Sequence, residues 1–197
     1  MKKLETLLKD YEDHVAERAS QGIPPLPLNA EQTNYVTQLL EQKTDYESDY
    51  LLDLLENRVP PGVDEAAYVK ASWLTAIVYG EKTCKFINPK KAIQILGTMI
   101  GGYNVNSLIE ILKSKNDLLA KEAAQVLKKI ILVYDAANDI FDLSRNNINA
   151  KEVVDSWANA EWFKNKKVLE KEITCLVFKV DGETNTDDLS PAVHATT

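Results

Sequence analysis

The stretch NRVPPGVDEAAYVKA, residues 57–71, is the joint from which the helical body of the chain can be read. Ahead of it, Tyr46, Tyr50, Leu51, Leu54 and Leu55 recur at the spacing of one helix face. Pro60 has no amide hydrogen and forces Val59 out of the α region, and Pro61 does the same to Pro60, so the incoming helix must stop near Arg58. Gly62 can supply a positive φ, and Asp64 can then cap a new helix carrying Tyr68, Ala71, Trp73 and Ile77. A stop, a rigid turn and a restart this close together predict an αα-hairpin, a corner without chemistry of its own.

Downstream of the joint the same punctuation repeats. The Trp73 helix ends at Gly80, and Asn88 with Pro89 opens the next, with Ile93 and Leu96 facing inward. Gly101–Gly102 closes that segment, and Leu108, Ile111 and Leu112 mark a short helix. Asn116 opens what reads as the longest helix, through Leu119, Ala123, Val126, Leu127, Ile130, Ile131, Tyr134 and Ala137. Asn149 and Glu152 form a capping-box pattern ahead of Val153, Val154 and Trp157.

Upstream, Leu4, Leu7, Leu8, Tyr11 and Val15 give a first helix that Gly22 ends. IPPLPL, residues 23–28, is too rich in proline for helix or central strand and reads as a polyproline-like strap. Asn29 caps a second helix, and Thr44 with Glu47 caps a third that runs into the joint. Helices joined by short turns, with no strand between them, predict an all-α fold: a HEAT-like array of antiparallel helix pairs. Trp73, Ile93, Leu96, Val126, Leu127, Ile130 and Trp157 are its expected buried residues.

The 197 residues are 45% hydrophobic and 27% charged, ordinary for a chain with a real core. A net charge of −7, with no face collecting lysines among aromatics, disfavours nucleic acid or an anionic membrane as the main partner. MKKLETLLKDYEDHVAER mixes acids with its leucines and is no signal peptide, so a cytoplasmic location is expected. His14, set among Glu12, Asp13 and Glu17, reads as a surface residue. The two cysteines, Cys84 and Cys175, are far apart and cannot by themselves hold zinc or an iron–sulfur cluster. Neither a catalytic triad nor a glycine-rich phosphate loop can be assembled, and no metal site is expected.

The composition changes at Glu172. ITCLVFKV, residues 173–180, is β-branched and apolar on both faces, as in a buried strand. A lone strand cannot satisfy its own backbone, so it pairs either with another molecule or with a sheet encoded further along a longer parent chain. The ending, ETNTDDLSPAVHATT, has no closing element and favours the second reading.

Several long motifs carry a resemblance: HVAERASQGIPPLPLNAEQ, LLDLLENRVPPGVDEAAYVKA, LGTMIGGYN, SWANAEWF and FKVDGETNTDDLSPA. Together, and in this order, they resemble the N-terminal part of the bacterial aconitate hydratase B family. The resemblance implies a helical HEAT-like domain over residues 1–165. It further implies that residues 166–197 are a linker with the first strand and loop of a truncated α/β swivel domain. The implied parent is a hydro-lyase that interconverts citrate and isocitrate through cis-aconitate, with a [4Fe–4S] cluster later in its chain and none in this piece. This piece alone is expected to be inactive. Its implied roles are protein–protein contacts, self-association as a homodimer, and passage of substrate, with the rest of the parent chain as first partner. A free-standing helical adaptor, whose strand augments a partner's sheet, is the competing class.

One site residue comes with the resemblance. The aconitase superfamily has a T-D-x-[IL]-S element in its swivel domain with an active-site Asp, and Thr186, Asp187, Leu189 and Ser190 fit it. Position alone favours a capping role for Asp187; the resemblance makes it a catalytic-site carboxylate that orients an arginine or serine from residues not present here. No substrate-binding residue is expected within the chain itself.

Overall fold

The computed structural model describes residues 2–42, 48–177, 179, 182 and 185. Among them are ten helices: α1 (Lys2–Ser20), α2 (Ala30–Gln42), α3 (Ser48–Asn57), α4 (Glu65–Val78) and α5 (Pro89–Leu96), then α6 (Tyr103–Leu112), α7 (Asp117–Leu127), α8 (Ala136–Ser144), α9 (Ile148–Ala158) and the single turn α10 (Glu161–Lys164). Consecutive helices pack as pairs: α2 on α3, α4 on α5, α6 on α7 and α8 on α9. One row stacks α2, α4, α6 and α8, while α5, α7 and α9 stack in a second row beside it. Short turns between packed neighbours make each pair antiparallel, and the two rows are the HEAT-like array the periodicity predicts.

The core lies between the rows. Leu55, Leu74, Ile93, Leu96, Leu108, Leu112, Leu127, Ile140 and Val153 are fully buried there, one cluster running the length of the array. Trp73 and Ile130 are buried as expected, whereas Val126 and Trp157 are only partly covered. Val126 is pressed against Gly97, where an added Cβ would sit 2.6 Å from its Cγ1, and Trp157 keeps its indole N–H on the Leu127 carbonyl at 3.0 Å.

Four local expectations are corrected. The joint does not close a hairpin, because α3 packs chiefly on α2 and α4 on α2 and α5; it connects one pair to the next. Gly62 does not have a positive φ; in the next pair-to-pair loop Gly101 and Gly102 do, at +65° and +80°. The long helix from Asn116 breaks at Lys128 and restarts at Ala136, with Tyr134 between them at φ 48°. A continuous helix would have carried Ile130–Val133 around its whole circumference; the break buries Ile130 and Val133 and leaves the two between them partly exposed. Asn149 is not a cap but a buried residue inside α9, which Asn147 caps instead.

Residues 172–177 form no strand, and Ile173, Leu176 and Val177 are exposed. Phe178 and Val180 of the expected strand, and the Thr44–Glu47 capping box, lie outside the described residues.

Candidate functional site

Residues 23–28 run across α1 as the proline-rich strap, and their carbonyls have no helical partners, so donors must come from side chains. Two of the chain's three arginines supply them. Arg18 Nε donates to Pro24 O at 2.5 Å, and Arg58 Nη2 donates to Pro25 O. The buried Tyr11 hydroxyl donates to Leu26 O at 2.9 Å and accepts from Arg58 Nε at 3.3 Å. The Leu26 N–H donates to His14 Nε2 at 3.0 Å, so His14 acts here as an acceptor that holds the strap. Leu28, buried, donates its N–H to Arg58 O at 2.7 Å and ties the strap to the joint. Between them lies a groove of about 890 Å³, lined by residues of both segments including Leu26, Val59, Pro60 and Asp64.

Asp64 caps α4 as predicted, accepting from Ala66 N–H at 2.7 Å. Six residues on, Lys70 is 1% exposed, and its ammonium reaches Glu56 O, at the C-terminal end of α3, at 3.2 Å. Burial pulls its pKa down to about 8, against the opposing attraction of Glu56. The Glu56 carboxylate also pairs with Lys91 at 2.9 Å. Sequence reasoning missed Lys70, although the signal was there: it sits three residues after Ala67 and four before Leu74, on the apolar stripe of α4.

The loops that connect one pair to the next stack on each other along one edge. Ile100 donates its N–H to Pro61 O at 2.8 Å. A Cβ on Gly102 would meet Val63 Cγ1 at 2.9 Å, and one on Gly101 would meet Leu132 O at 2.6 Å. The buried Asn104 amide secures the loop from below by donating to Leu96 O at 2.8 Å and Met99 O at 3.3 Å. This edge shows apolar groups to solvent: Val63 is 74% exposed and Tyr134 77%, with Ile100 beside the joint and Tyr68 packed edge-on against Tyr103 at 5.1 Å.

The other sequence-predicted positions are not brought together. Cys84 donates to Leu40 O at 3.4 Å on the α4–α5 turn, and Cys175 is exposed beyond α10. A four-iron cluster requires three or four thiolates in one place, and this pair does not fit it. Among the described residues no three His, Cys, Asp or Glu side chains gather as a metal site, and no helix is long and apolar enough to cross a membrane. Asp187, with Thr186, Leu189 and Ser190, lies outside the described residues.

Residues 10–163 match the family described as the aconitate B N-terminal domain. Aconitate hydratase B of Synechocystis is 58% identical over 191 residues, covering 97% of this chain. The enzyme of the same name is 52% identical in Pseudomonas aeruginosa and 50% in Escherichia coli, each over 96% of the chain. The chain spans 22% of the length of each of these relatives.

Proposed function

Because the chain belongs to the family of aconitate hydratase B N-terminal domains, we propose that it is the non-catalytic helical part of a longer cytoplasmic enzyme that interconverts citrate and isocitrate through cis-aconitate. The observation that carries this reading is the extent of the likeness: 191 residues matched at 58% identity, against 22% of the relative's length. In this reading residues 1–165 form the helical domain and 166–197 lead into the next one. The domain serves contacts with the rest of its own polypeptide, self-association and the passage of substrate. The described side chains support a scaffold role: Arg18 and Arg58 are spent on strap carbonyls and are not free to grip a carboxylate.

The [4Fe–4S] cluster belongs, in this proposal, to the polypeptide beyond these residues, and no chemical step is assigned to this chain. Asp187 is its one proposed contribution, a positioning carboxylate for an arginine or serine from the following sequence. Asp187→Asn in the complete enzyme is expected to lower kcat about tenfold or more, a loss of about 1.4 kcal/mol in transition-state stabilisation, with cluster content unchanged. Unchanged kcat would return Asp187 to a capping role.

The test is direct. The complete polypeptide from the same gene should turn over citrate and isocitrate after anaerobic cluster reconstitution, and the 197-residue chain should not. Turnover by the 197-residue chain, or a reading frame that stops at Thr197, would overturn the proposal and favour a free-standing adaptor.

A further inference from the structure

Resting on that reading, we propose that the edge formed by the pair-to-pair loops is the face on which the polypeptide downstream of α10 docks. Three observations support it independently of one another. The first is exposure: Val63, Tyr68, Ile100, Tyr103 and Tyr134 stand between 39% and 77% exposed on these loops and on the first turns of α4 and α6, the loops hydrogen-bond or press on one another, and exposed apolar surface of this kind marks an interaction face.

The second is conformational cost. Tyr134 holds a left-handed φ of 48° while its ring is 77% exposed. A bulky residue in that region is strained, and no burial of the ring offsets the strain in this chain. Gly101 and Gly102 are likewise left-handed, which brings the loops into contact and lines their side chains up along one edge.

The third is the path of the chain, which selects the occupant. Trp162, Asn165 and Lys166 line one cleft with Lys128 and Lys129, the first residues of the loop that carries Tyr134. The polypeptide therefore leaves the helical array at the end of this edge. A domain tethered there faces the edge at an effective concentration on the order of millimolar, an advantage that neither a second copy nor a separate partner has.

The experiment replaces Ile100 with the photo-crosslinking residue p-benzoylphenylalanine in the complete polypeptide, and Lys115, on a turn inside the α6–α7 pair, with the same residue as control. On irradiation, position 100 should give intramolecular crosslinks that map to peptides after residue 197, at a yield roughly tenfold or more above position 115. Crosslinked dimers from position 100 would assign the edge to a second copy and overturn the proposal. Equal or negligible yields at both positions would overturn it as well. Citrate turnover by the same preparations separates the two ideas: an active enzyme without the intramolecular crosslink keeps the proposed function and rejects this docking face.

Discussion

Along one edge of the array, the turns inside the α4–α5, α6–α7 and α8–α9 pairs start their second helix with an asparagine. Asn88 accepts from Lys91 N–H at 2.8 Å, Asn116 from Leu118 N–H at 3.2 Å, and Asn147 from Ala150 N–H at 3.0 Å. Along the other edge Asp64 caps α4, but α6, α8 and α10 start with no side-chain cap at all, behind Gly102, Asp135 and a left-handed Ala160. The first edge starts these helices by local chemistry, and Cys84 and Asn147 add bonds to Leu40 O and Leu112 O of the neighbouring pairs. The second is made by contact, each loop held by the one beside it. Both edges expose apolar side chains, Leu118 and Ile148 on the capped one, but the left-handed non-glycine residues of the described chain, Tyr134 and Ala160, both lie on the contact-built edge, and that asymmetry in strain marks the side the molecule uses.

The largest effect should come from glycines that share one substitution and differ in their surroundings. Gly101→Val adds a β-branched side chain at φ +65°, with Leu132 O only 2.6 Å from the new Cβ, and is expected to cost about 3 kcal/mol or more. Gly80→Val, at φ +74° but with open space around it, should cost about 1–2 kcal/mol, and Gly62→Val, with neither constraint, under about 0.5 kcal/mol. Urea unfolding of the three variants measures the series. Equal losses at Gly101 and Gly80 would mean that loop-to-loop contact adds nothing.

These glycines also show what was legible in the sequence. Gly22 and Gly80 were read correctly as helix ends, because a C-terminal glycine is a local signal. Asn29, Asn88, Asn116 and Asp64 were read correctly for the same reason, since a cap needs only the next three residues. The break at residues 128–135 was not legible: it contains neither proline nor glycine, and the contact it makes, Leu132 O close beside Gly101, is with a neighbouring pair. The strap was legible from its prolines, but its hydrogen-bond partners Tyr11, His14, Arg18 and Arg58 come from two other segments, one of them more than 30 residues away. Of the candidate site, the Asp187 element was read from resemblance alone.

The next effect concerns the joint itself. Lys70 is protonated below about pH 8 in the native state and below 10.5 in the unfolded one. Below the native value both states carry the proton and the cost of burying the charge is felt in full. Between the two values the unfolded state binds more protons, so stability contributed through this group rises with pH. Measured by urea midpoints, wild type should gain on Lys70→Met by about 2–3 kcal/mol between about pH 7 and about pH 10. A pH-independent gap would show that the ammonium is solvated in the native state.

A smaller effect separates the strap clamp from ordinary surface pairs. Arg58→Met leaves Pro25 O without its arginine donor and should cost about 2 kcal/mol, read as a lowered Tm. Lys151→Met, which removes only the exposed pair with Asp155 at 2.6 Å, should cost under about 0.5 kcal/mol. Similar losses would remove the distinction between a clamp and a solvated face.

The contrast between the edges is tested most directly by amide hydrogen exchange on the 197-residue chain and on the complete polypeptide. Amides in residues 97–102 and 128–135 should exchange about tenfold or more slowly in the complete polypeptide, while those in 113–116 and 145–147 keep the same rates in both. Protection of the capped turns with no change along the loop edge would contradict the assignment of the two sides.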